Sequence, residues 1–283
     1  MNAVRPFPSP LQAALLTLMG SFFAGAVTVV AAQSMSVTSA LGLGTAFGLG
    51  AAGALGAASV PLPHGVRVGL RGIALRHVLP ILLLVPVVLL ASEVDNVVKL
   101  VLPAPDAPQV VQETLERVPT DTGLALIETA VVVVGIVPLL EEWFFRGILQ
   151  QGLIANAGVR GGIFLTSLLF AMGHGGPGMS PQSWAALVAQ TLVLGLVLGY
   201  ARHTTGSIVA PILLHMGVNG LGVLALALPD VIVIPGYDAP GTHTPLAWLL
   251  PSAFAVALGL WLLSREHPEP MPPLPAADEE PDA

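Results

Sequence analysis

Ala130-Val131-Val132-Val133-Val134-Gly135-Ile136-Val137-Pro138-Leu139-Leu140 runs without a break into Glu141-Glu142-Trp143-Phe144-Phe145-Arg146. An apolar stretch starting near residue 123 and reaching this point is long enough to cross a hydrocarbon core of about 30 Å, which takes roughly 20 residues. Ionisable groups inside such a stretch are expensive, so they occur there in partnership or for chemistry. Two further patches of the same kind follow: Phe170-Ala171-Met172-Gly173-His174, and His215-Met216-Gly217-Val218-Asn219. Each lies within or at the end of a later apolar run, and the three together read as one buried site.

The composition extends that reading to the whole chain. Hydrophobic residues make up 54% and charged residues 10%, against about 25% charged residues in soluble domains, and the mean hydropathy is +0.82. An all-α, polytopic transmembrane helix bundle is expected, with about eight spans near residues 11 to 32, 39 to 60, 73 to 92, 123 to 145, 161 to 174, 184 to 201, 207 to 228 and 246 to 264. With a cytoplasmic N-terminus, that map puts Arg5, Arg67, Arg71, Arg76, Arg146, Arg160, Arg202 and Arg265 on the cytoplasmic side and leaves Lys99 and Arg117 outside, as the positive-inside rule requires. Both termini are then cytoplasmic, and a multi-pass protein of a bacterial plasma membrane is expected. The high Ala, Gly, Val, Leu and Arg usage with little Lys suggests the bacterial source.

Residues 93 to 122, with Glu93, Asp95, Asp106, Glu113, Glu116 and Asp121, suit an acidic external loop holding a short amphipathic helix around Val111 to Val118. The chain thus divides into residues 1 to 122 (three spans and that loop), a core at 123 to 228, a last loop and span at 229 to 264, and a Pro-, Glu- and Asp-rich tail from 265 to 283 expected to be disordered. The stretch from Leu11 to Ala32 is too long for a signal-peptide core and reads as an uncleaved first helix, although Val30-Ala31-Ala32-Gln33 resembles a cleavage site.

No cysteine is present, which excludes disulfides, thiolate metal sites and a cysteine nucleophile. The net charge of -7 and the lack of a basic stripe beyond Arg67, Arg71 and Arg76 exclude a nucleic-acid partner. That arginine cluster adjoins a span and reads as an anchor at anionic headgroups. Gly42, Gly44, Gly48, Gly50, Gly53 and Gly56, and likewise Gly195 with Gly199, read as close helix packing. Gly173, Gly175, Gly176, Gly178 and Pro177 are different: they surround a histidine and should end the fifth helix beside the site.

Positions four apart on a helix share a face, so Glu142 can pair with Arg146, while Glu141 is turned about 100° away. Glu141 is then the candidate base, unless both glutamates sit at the membrane rim and merely bind arginines. His174 alone reads equally as a helix-terminal histidine bonded to backbone. His215 and Asn219 share one face of a span with no other strongly polar side chain, where they provide convergent hydrogen-bonding groups. At 1.5 Å per residue all three patches fall near mid-membrane, and a Glu, two His and an Asn around one water form a hydrolytic constellation.

At these residues the chain resembles the CPBP family of intramembrane proteases, which includes the type II CAAX prenyl endopeptidases and bacteriocin-processing, Abi-like proteins. The family's motifs are Glu-Glu-x-x-x-Arg, Phe-x-x-x-His and His-x-x-x-Asn in that order; Glu141 to Arg146, Phe170 to His174 and His215 to Asn219 match them without departure, within residues 123 to 228. The resemblance implies that Glu141 and His174 activate the attacking water, that His215 and Asn219 stabilise the oxyanion, and that Glu142 with Arg146 is a supporting pair. Glu141, His174 and His215 also have the composition of a His₂Glu zinc set, whereas the His-Glu-x-x-His signature of zinc proteases is missing. Zinc or a metal-free glutamate mechanism therefore both stand at this level. The expected substrate is a membrane-associated peptide or protein, cleaved within or beside the lipid bilayer. The competing expectation is a non-catalytic membrane protein, an immunity factor or scaffold or a proton-coupled transporter, using the same polar cluster. No inverted repeat supports a transporter.

Overall fold

The structure is a computed structural model and describes residues 6–103, 123–175, 179–228, 231–237, 242–266 and 272–274. The described residues form an all-helical bundle. Helix α1 (Pro10–Ala31) starts at a capping box in which Ser9 and Gln12 satisfy each other's backbone N–H groups. It is followed by α2 (Val37–Ala57), a short helix α3 (His64–Val68), α4 (Leu75–Val101), α5 (Gly123–Met172), α6 (Pro181–Thr205), α7 (Val209–Ala227) and α8 (Leu246–Ser264).

Six helices are long and apolar enough to cross a membrane, and α7 is a shorter apolar helix beside them. One of the six, α5, is 50 residues long and bends back at Gly158, whose φ of 71° and ψ of 170° leave the helical region. Only glycine takes such a backbone readily. At Gly162 an added Cβ would stand 2.4 Å from the Ile154 nitrogen, so the two arms of α5, 123–157 and 159–172, need a glycine there to close on each other. With the two arms counted separately and α7 included, the described residues hold eight apolar helical segments. Large apolar side chains such as Leu11, Phe22, Leu82, Leu124 and Phe254 face outward, as befits a surface whose solvent is lipid.

Two expectations need correction. The third span does not stop at residue 92: α4 continues to Val101, so Glu93 and Asp95 lie on a helix rather than in a loop. Their polarity is absorbed by partners, since Asp95 pairs with Lys99 at 2.6 Å and Glu93 accepts from the Thr244 N–H at 2.9 Å. The expected helix at Val111 to Val118 lies outside the described residues. The arginine cluster, read as a headgroup anchor, works largely inside the protein. Arg67 is buried and donates to the carbonyls of Leu62, Pro272 and Pro273, and burial lowers its pKa from the ordinary value. Arg71 donates to the carbonyls of Thr205 and Gly206, tying the segment before α4 to the α6–α7 turn. Of the tail expected to be disordered, residues 272–274 are described and lie against Arg67; 267–271 and 275–283 lie outside the described residues.

The glycine-rich α2 packs as its sequence suggests. An added Cβ at Gly48 would meet the Gly20 carbonyl at 2.3 Å and the Ala24 nitrogen at 2.4 Å, which leaves no room for a side chain between α1 and α2. Gly48→Leu is therefore expected to separate these helices and lower the midpoint of thermal unfolding in detergent, whereas Gly25→Ala, at a position with open space, should leave it within experimental scatter.

Candidate active site

The first arm of α5 carries both glutamates, and three π-helical turns, one of them in α2, distort the bundle near it: Ala46–Gly50, Ala130–Ile136 and Trp143–Leu149. Such turns break the regular i to i−4 ladder and re-aim side chains, and they gather at functional sites. Glu142 and Arg146 are both 0% exposed, and Arg146 Nη1 donates to Glu142 Oε1 at 2.8 Å. Arg146 Nη2 donates across to the Gly195 carbonyl on α6 at 3.2 Å, and its guanidinium carbon lies 4.3 Å from the centre of the Phe170 ring. The sequence map put Arg146 on the cytoplasmic side. Instead it is sealed in the interior, because an anion, a carbonyl and an aromatic face together replace its water.

Glu142 also accepts from His215 Nδ1 at 2.9 Å. With Nδ1 so engaged, His215 turns Nε2 toward Glu141, whose Oε2 lies 3.8 Å away. His174 Nδ1 lies 2.7 Å from the Phe170 carbonyl. A carbonyl only accepts, so Nδ1 carries the proton and the neutral ring keeps its lone pair on Nε2. The backbone-bonded histidine at a helix end and the site histidine are thus the same arrangement. Asn219 Nδ2 donates one hydrogen to the Val133 carbonyl, at 2.9 Å, within the second π-helical turn. Its other amide hydrogen is a second donor. Phe170 holds the group together, stacking edge-on with His174 at 4.5 Å and with His215 at 5.8 Å between ring centres.

Glu141, His174, His215 and Asn219 line a single cavity of about 550 Å³. Glu142 and Arg146 lie behind its wall. The remainder of the lining is mostly apolar, with Val88, Val133, Leu187 and Val218 among it, and carries a few polar groups: Ser92, Thr129, Gln190, Thr191 and Tyr237. Sequence reasoning passed over Gln190, although an amide in the apolar α6 was an available signal. Ser92 and Tyr237 offered none, because a serine at the end of an expected span is unremarkable and Tyr237 reaches the cavity only through the segment after α7. Among the described residues no group of three or more histidines and carboxylates is placed to hold a metal ion.

Residues 123–221 match the family model described as type II CAAX prenyl endopeptidase Rce1-like. Over this stretch the chain is similar to Rce1-like proteins. The Rce1-like stretch contains every residue of the cluster, from Glu141 to Asn219. A similar curated protein is an uncharacterized 24.3 kDa protein of Escherichia coli, 32% identical over 101 residues, which cover 35% of this chain and 44% of that protein. No solved structure matches the chain. Outside residues 123–221, α2 contributes Leu41, α4 contributes Ser92 and the segment after α7 contributes Tyr237 to the same cavity, so its walls extend beyond the matched stretch.

Proposed function

We propose that the protein is an intramembrane endopeptidase that hydrolyses a peptide bond of a membrane-associated peptide or protein. The observation that carries this reading is the meeting of Glu141, His174, His215 and Asn219 on one cavity within a bundle of membrane-spanning helices. Glu141 takes a proton from a water that also donates to the Nε2 lone pair of His174. The hydroxide formed attacks the scissile carbonyl carbon. The developing oxyanion accepts hydrogen bonds from the free amide hydrogen of Asn219 and from His215 Nε2, which donates when the ring is doubly protonated. Glu141 then returns its proton to the departing amide nitrogen, completing the hydrolysis. Glu142 holds His215 by Nδ1 and is itself held by Arg146. No ion is needed for these steps, and metal analysis of active protein after chelation tests that point: stoichiometric zinc required for cleavage would overturn the glutamate mechanism.

The deciding assay incubates purified protein in detergent with membrane peptides beside a Glu141→Ala control. Cleavage that disappears in the control supports an enzyme, and cleavage equal in both overturns the assignment of the site. Removal of one oxyanion donor costs about 10²- to 10³-fold in turnover. Asn219→Ala should therefore lose rate to that extent in kcat, with the unfolding midpoint little changed, since the half-buried amide gives up one hydrogen bond to Val133.

A further inference from the structure

We propose that the cavity is entered from the extracytoplasmic side of the membrane, so that the substrate is a membrane-anchored or exported polypeptide whose scissile segment lies at the outer leaflet. The proposal rests on the proteolytic reading of the cavity, and its test does not require cleavage. The bundle has two chemically distinct ends, each recognised by contacts between loops far apart in sequence. At one end Gln151 donates to the Phe7 carbonyl, Arg71 binds the Thr205 and Gly206 carbonyls and Arg76 pairs with Glu266 at 3.0 Å. Burial works to raise the Glu266 carboxyl, but hydrogen bonds from Arg76 and His77 and their charge outweigh it and hold it below the ordinary carboxylate range. Arg67, Arg160, Arg202 and Arg265 belong to this end.

At the other end Ser36 and Ser39 donate to Glu128, Thr244 and His243 bind Glu93, and Asn96 donates to the Gly236 carbonyl at 2.9 Å. Among the described residues Lys99 is the basic side chain of this end other than histidine, and it is spent on Asp95. Positive charge is retained on the cytoplasmic side of a membrane protein, with acidic residues contributing little to the choice. The arginine-rich end is therefore cytoplasmic.

The cavity belongs to the opposite end. Ser92 adjoins Glu93, Thr129 adjoins Glu128, and Tyr237 adjoins Gly236, and all three line it. Most of the lining lies toward that end, with Leu41 early in α2, Gln190 and Thr191 in the first half of α6 and Gly222 and Val223 late in α7, while Glu141, Leu194 and His215 form its deepest part near mid-helix. On the arginine side the way is closed by the sealed Arg146, Phe144, Phe145 and Leu149, each no more than 2% exposed. A water-filled approach from the cytoplasm would have to pass through that layer. The mostly apolar walls suit a hydrophobic segment beside the scissile bond.

Because the chain has no cysteine, single-cysteine variants report without background. Gln190→Cys in the cavity, Val233→Cys on the exposed segment leading to Tyr237 and Arg160→Cys at the arginine end are expressed in cells and treated with a membrane-impermeant sulfonated maleimide. Val233→Cys and Gln190→Cys are expected to be labelled in intact cells, and Arg160→Cys only after permeabilisation. Labelling of Arg160→Cys in intact cells would reverse the orientation and overturn the proposal. Protection of Gln190→Cys in intact cells, whether or not permeabilisation exposes it, would overturn outward access even with Val233→Cys labelled. The proteolytic reading fails separately, if Glu141→Ala cleaves as the parent does.

Discussion

Glu141→Gln leaves a folded protein that cleaves about 10²- to 10⁴-fold more slowly than the parent, the range supplied by a positioned general base. The amide keeps the shape of the carboxylate but cannot accept the proton of the attacking water. Folding is spared because Glu141 faces the cavity and the ring nitrogen beside it, His215 Nε2, is 3.8 Å away, beyond hydrogen-bond distance. Single-turnover rates against a membrane peptide, beside an unfolding midpoint in the same detergent, separate chemistry from stability. A variant with the parent's rate would remove Glu141 from the reaction.

Arg146→Met is expected to have the largest effect on stability. Breaking a buried ion pair from one side costs about 3–5 kcal/mol, because the remaining charge is stranded in a medium that cannot solvate it. Here the stranded group would be Glu142, 0% exposed, and the loss would also free the Gly195 carbonyl on α6. The variant should unfold at a much lower temperature or fail to accumulate in membranes. Glu142→Gln with Arg146→Met removes both charges and should recover part of the lost stability while leaving activity low, since His215 would be held by a neutral amide instead of a carboxylate. Equal stability of Arg146→Met and the parent would show that the pair is not sealed from solvent.

The parts of this architecture readable from sequence are those governed by helical spacing. An i to i+4 interval fixes a shared face, so the Glu142–Arg146 pair and the common face of His215 and Asn219 follow from numbering, and so do the close approaches at Gly195 and Gly199, where Cβ atoms would meet Ser167 and Ile163 at 3.0 Å. The parts that were not readable depend on partners distant in sequence. Glu93, Asp95 and Asn96 look like the end of a span to a hydropathy window, because the window does not register Thr244, Lys99 or the Gly236 carbonyl. For the same reason Arg146 is counted by the sequence map with the cytoplasmic-side arginines, and the walls contributed by Ser92 and Tyr237 go unseen. A charge's cost depends on what faces it, and that information is tertiary.

Arg146 and His215 both grip Oε1 of Glu142, at 2.8 and 2.9 Å, while Oε2 has no hydrogen-bond partner. One atom therefore serves as a common pivot for two helices, and a turn of the carboxylate that releases one neighbour releases the other. Shortening the side chain to aspartate would withdraw that pivot from both at once, so the imidazole would lose its aim and the guanidinium its counter-ion in a single motion.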